Sequence, residues 1–179
     1  MLTDVTRDAL MVLVLDAGPL IYFAKLDAFD ALALAGHAAV VPPSVFTEAA
    51  RSELAFRHPE IATIDRAHRE AAFRVEALDP RETELARELG AGSSGLHAGE
   101  LDVLALGRSR GWSVCFHERQ AARLARALGV TTMHLVEVLF AGTPHPDLLE
   151  RRIRRFARLT NLAMEDLDGL MKLIGDRRQ

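Results

Sequence analysis

Five acidic residues stand where a fold can put them to chemical use: Asp16, Glu48, Glu100, Asp102 and Glu118. Asp16 closes an apolar run, Glu48 lies shortly after a second one, and Glu118 follows a third, residues 112–116. Glu100 and Asp102 come straight after the Gly-rich stretch GAGSSGLHAG. If the runs are strands of a parallel sheet, their carboxyl ends share one edge, and the acids converge there. Gathered carboxylates repel one another, and a divalent cation relieves that repulsion. Oxygen ligands without His or Cys suit magnesium or manganese, which keep several of their waters. Such an ion activates water and stabilises charge in phosphodiester cleavage.

Each acid also has a plainer reading. Asp at a strand end forms turns and caps helices. Glu48, Glu100 and Glu118 early in helices complement the helix dipole. Residues two apart on a helix point roughly 200° apart, so Glu100 and Asp102 cannot both aim at one ion. Asp102, deeper in its helix, is read as a ligand, and Glu100 as an assisting acid near the helix start. The seven His residues show no metal-ligand spacing. Ser93 and Ser94 lack a nucleophile's setting, and the glycines of residues 90–99 do not form a phosphate-binding fingerprint.

The elements that must hold these acids follow from the pattern. Residues 12–15, a short apolar run bounded by Ala17, Gly18 and Pro19, read as a strand buried on both faces. Further strands are expected at 38–41, 73–78, 112–116 and 130–134. Helices are expected at 19–25, 26–35, 44–56, 58–74, 81–89, 100–110 and 117–128, with a loop over 90–99. Strands alternating with helices imply an α/β fold, a three-layer sandwich around a mostly parallel sheet. An extension over residues 1–10 precedes this domain (11–143), and a two-helix tail (144–179) follows it. In that tail Leu167, Leu170, Met171 and Ile174 recur at helical spacing.

Composition sets outer bounds. The 179 residues are 49% hydrophobic and 26% charged, with a formal net charge of -3, which argues against a uniformly basic nucleic-acid binder. A single cysteine, Cys115, excludes an internal disulfide and a cysteine-built zinc site. The first apolar stretch is too short to span a bilayer, and Asp4 and Asp8 replace the basic flank of a signal peptide, so a cytoplasmic protein without membrane attachment is expected.

Four strings occur in order: VLDAGPLIYFAKL, VVPPSVFTEAA, LHAGELDVLALGRSRG and ERQAARLARALGV. Together, over about residues 11–140, they resemble the PIN-domain ribonucleases, nearest to the subgroup with a DAGPLI first strand found beside toxin–antitoxin genes. The resemblance implies single-stranded RNA cleavage with magnesium or manganese. It also implies a small antitoxin protein as partner and a tendency to pair as a homodimer. Asp16 matches the first acidic position, Glu48 the second and Asp102 the third, with Glu100 an extra acid. Relatives carry Asp-Asp at the fourth position and this chain carries His117-Glu118. Either Glu118 supplies a longer carboxylate or His117 takes the inner slot.

RNA would need positive charge around the acids, and Arg108, Arg110, Arg119, Arg123 and Arg126 lie near that rim or on helices beside it. The arginines of residues 151–158 suit an exposed helix face or an acidic partner segment. Few aromatics argue against reading of specific bases. The alternative to a nuclease is a degenerate PIN module that binds RNA or protein without cutting. A magnesium phosphatase would need a second Asp two residues after Asp16, where Gly18 stands.

Overall fold

The computed structural model describes residues 11–50, 58–92 and 95–178. The expected extension over 1–10, the helix end over 51–56 and Ser93 and Ser94 lie outside the described residues. Strands β1 (Met11–Leu15), β2 (His37–Val41), β3 (Arg74–Val75) and β4 (Ser113–Cys115) form one parallel sheet in the order β3-β2-β1-β4. In β1, Leu13, Val14 and Leu15 are all fully buried. Successive residues of a strand face opposite sides, so both faces of the sheet are covered and the fold is α/β.

The described helices are α1 (Ala17–Lys25), α2 (Asp30–Leu34), α3 (Pro43–Ala49), α4 (Glu60–Arg69), α5 (Pro80–Gly92), α6 (Ala98–Arg110), α7 (Arg119–Ala127), α8 (Leu135–Gly142), α9 (Pro146–Thr160) and α10 (Met164–Asp176). Leu149, Ile153 and Phe156 of α9 and Ile174 of α10 bury in the same core as the sheet.

Several expected elements are shorter or displaced, each for a local reason. The expected helix over 26–35 starts only at Asp30, because Asp27 takes a left-handed φ of 49°. The helix expected over 58–74 stops at Arg69, and Ala71, at φ 57°, turns the chain toward β3. The Gly-rich loop is shorter at both ends: α5 runs through Gly90 to Gly92, and Ala98 and Gly99 already belong to α6. The strand expected over 130–134 is reduced to a bridge between Val114 and Thr132. Its last residue is diverted, since His134 Nδ1 accepts the Val136 N–H and caps α8.

Two polar networks lock helices together. Arg110, expected at a substrate rim, instead donates to Glu82 Oε1 at 2.6 Å and to Glu76, and its guanidinium lies 4.7 Å from the Trp112 ring centroid. Arg152 is 5% exposed. It donates to Thr143 Oγ1 at 3.0 Å, the Asp27 carbonyl at 2.7 Å and Asp30 Oδ1 at 2.6 Å, tying α9 to the turn between α1 and α2. Arg152→Met keeps the apolar stem and strands those acceptors, so a loss of about 2 kcal/mol is expected in urea denaturation. An unchanged midpoint would mean that water satisfies the acceptors equally well.

Candidate active site

Asp16 is the pivot between sheet and helix. Its N–H donates to the Cys115 carbonyl at 3.1 Å, extending the β1–β4 ladder, and its own carbonyl accepts from Leu20 N at 3.1 Å, opening α1. The backbone is therefore held on both sides and the side chain emerges at the carboxyl edge of the sheet. Only 6% of Asp16 is exposed. Burial raises its carboxyl from 3.8 to about 6, a hydrogen bond at the Ala17 backbone works against that rise, and the charges of Glu100, Glu48 and Glu118 add to it. Those three acids come from three other segments, so the sheet edge does collect distant carboxylates.

Two glycines allow the close approach. A β-carbon on Gly99, in the first turn of α6, would stand 3.5 Å from Glu48 Oε2, 3.9 Å from Asp16 Oδ1 and 3.1 Å from Val45 Cγ2. The acids of α3 and β1 thus meet over a bare stretch of α6 backbone. A β-carbon on Gly18 would lie 2.9 Å from His117 Cβ, so that glycine admits the segment after β4. Neither was singled out from sequence as a site residue. The small pair Ala98-Gly99 just before Glu100 was the available signal.

Glu100 is 6% exposed, and one of its oxygens, Oε2, accepts the His97 N–H at 2.8 Å in a capping box. Asp102 is half-buried, and its Oδ2 accepts the Ser44 hydroxyl at 2.6 Å, linking α6 to the first turn of α3. Glu48 and Glu118 are exposed. The His117 ring packs on Tyr22 with centroids 4.8 Å apart, its Nε2 being 3.5 Å from the Tyr22 hydroxyl. Cys115 is buried, and burial pushes its thiol up, which closes thiolate chemistry to it.

Asp16, Glu48, Glu100 and Glu118 have no Lys, Arg or His salt-bridge partner among the described residues. Unpaired, mutually repelling and built of oxygen alone, the set fits a small hard cation in chemistry. Among the described residues no three His, Cys, Asp or Glu side chains already stand in position to hold one metal ion.

Comparison with known proteins agrees with the geometry. A family model described as a PIN domain matches residues 12–163, which takes in all five acids and reaches through α9. No curated protein matches the chain. Among the described residues no helix is long and apolar enough to cross a membrane.

Proposed function

The chain belongs to the PIN-domain family, whose members are generally nucleases that use divalent metals, and on that premise we propose that it is an endoribonuclease cutting single-stranded RNA. The observation that carries the reading is the buried Asp16 with three further carboxylates bearing on it and no basic partner. Asp16, Glu48 and Glu100 would hold magnesium or manganese, with Glu118 assisting. Asp102 positions α3 through Ser44. The bound ion would polarise the scissile phosphate and lower the pKa of its water. Water attacks phosphorus in line, the opposite P–O ester bond breaks, and solvent-facing Glu118 takes the water's proton. The leaving oxygen gains a proton from solvent, so one fragment ends in phosphate and the other in hydroxyl.

The DAGPLI first strand supports extending this reading to the toxin half of a toxin–antitoxin pair, working as a cytoplasmic homodimer and silenced by a small antitoxin protein. The domain then runs over residues 11–143, with the helices α9 and α10 that follow packing back on its core.

The roles of Glu100 and Asp102 separate in one assay. With manganese and a labelled single-stranded RNA, Glu100→Gln is expected to lower cleavage by about 100-fold, the scale of losing a charge-stabilising group. Asp102→Asn should cost about tenfold, the low end for a supporting hydrogen bond. The reverse order would return Asp102 to the ion and remove Glu100, and equal rates in all samples would reveal a contaminating nuclease. A second reading, a PIN module that binds without cutting, draws on the absence of a ready-formed metal trio among the described residues and on His117 being engaged with Tyr22. Calorimetric titration with manganese divides the two: only the nuclease should give heat that Asp16→Asn abolishes.

A further inference from the structure

A cleft with a volume of about 740 Å³ opens beside the acids. It starts at Phe116, His117 and Glu118, the residues that leave β4, and is walled by α7 and by the turn between α9 and α10. Phe116 and Phe156, 4% and 3% exposed, give it an apolar floor. Arg119, Arg126 and His134 of its walls carry hydrogen-bond donors with little else to bind among the described residues. Arg119 has no ion pair or hydrogen bond among the described residues, and Arg126 reaches only Thr132 Oγ1, at 3.3 Å. His134 Nδ1 accepts the Val136 N–H, so the neutral ring must carry its hydrogen on Nε2, where no described residue receives it. Asn161 lines the same cleft at a left-handed φ of 50°.

The sign of the lining narrows the occupant. Glu118 and Asp166 stand among the cations, so the cleft is not a uniformly basic channel, and an occupant with one anionic group and a neutral body suits it better than a run of carboxylates. An apolar floor with mixed donors and acceptors above it, and arginines at the mouth, suits a heterocycle attached to a phosphate. Position agrees, since Glu118 belongs both to the acidic cluster and to the cleft wall. The arginine-rich groove of Arg151, Arg155 and Arg158 is less suitable, because it adjoins Leu26, at the end of α1 away from Asp16.

We propose that this cleft binds one nucleotide of the RNA strand, adjacent to the phosphate held over the acids, which makes the α9–α10 turn part of the substrate site. The proposal rests on the nuclease reading for the phosphate placed at the acids, while the cleft's affinity is measured apart from cleavage.

Binding of a fluorescent single-stranded RNA decamer to the full chain, carrying Asp16→Asn to prevent turnover, is the test. The pair Arg119→Glu/Arg126→Glu is expected to weaken it by about tenfold or more and to flatten its salt dependence. Asn161→Gly, which keeps the left-handed backbone, should weaken it by a smaller factor without lowering the melting temperature. Arg151→Glu/Arg155→Glu, on the other groove, should change it less than about twofold, since rim charges far from the strand are screened. In the cleaving protein the first pair should raise KM and leave kcat nearly unchanged. Equal losses from both arginine pairs, or none from the first, would overturn the proposal. Displacement of the RNA by a poly-glutamate peptide at the cleft alone would overturn it too, marking a protein dock instead. If the native chain cuts no RNA yet the cleft pair still abolishes decamer binding, the nucleotide site stands and the nuclease reading fails.

Discussion

Asp16→Asn is expected to give a protein that is inactive and, at neutral pH without metal, more stable than the native chain. Asp16 is almost fully buried, and its carboxyl is held at about 6 instead of 3.8, by burial first and then by Glu100, Glu48 and Glu118. Below 3.8 it is protonated whether the chain is folded or not. Between 3.8 and about 6 the folded protein keeps a proton that the unfolded chain has released, so stability falls as pH rises through that window. Above it the full penalty applies, about 3 kcal/mol at most. Asn has the same shape and never ionises. Its melting temperature should exceed the native one by several degrees at pH 7.5 and match it near pH 4. Manganese at a hundredfold excess over its Kd should stabilise the native chain by about 2.7 kcal/mol, closing most of the gap, and leave the variant unmoved. Scanning calorimetry at the two pH values, with and without manganese, reads all of this. A variant less stable than native at pH 7.5 would show that the carboxylate serves α1 as a cap and carries no stored repulsion.

The largest loss of stability should come from a residue far from the acids. Gly142 ends α8 against α2, and a β-carbon there would overlap the Ala31 carbonyl oxygen and lie 2.6 Å from the carbonyl carbon. What it meets is helix backbone, which cannot swing aside as a side chain can. Gly142→Ala should therefore cost about 3 kcal/mol or more, the upper end for overpacking. In a domain of this size that lowers the melting temperature by roughly 6–12 °C. Gly169→Ala is the control: it is an exposed interior position of α10 with nothing within 4 Å of its β-carbon, and Ala should stabilise it by about 0.5–1 kcal/mol. Should Gly142→Ala melt like the native chain, the approach of α8 to α2 is looser than the structure has it.

Much of the fold was legible because its signals are local. Apolar runs bounded by Gly, Pro or Asp located β1, β2 and β4 within a residue or two. The fifth strand was misjudged for a reason equally local in origin but tertiary in outcome. Residues 130–134 have strand composition, yet His134 is committed to capping α8, and pairing shrinks to one bridge. Arg110 was read as a rim charge until α5 presented Glu82, and the segment after β3 presented Glu76, to it.

By itself the sequence determined that the strands run parallel and that Asp16 closes the first of them, because strands alternating with helices leave every strand's carboxyl end on one edge. Helical geometry further required that Glu100 and Asp102 face apart. Which of them turns inward was decided only by packing. Helix α6 buries Val103, Leu104, Ala105, Leu106 and Gly107 in succession, so no apolar stripe announces its phase. Its rotation is set by what it meets: Val114 and Val130 crowd Gly107 on one side, Leu101 lies against Gly90, and Gly99 rests over Glu48 and Asp16. A helix hemmed in on most of its circumference takes its orientation from its neighbours' shapes, and those exist only once the chain has folded.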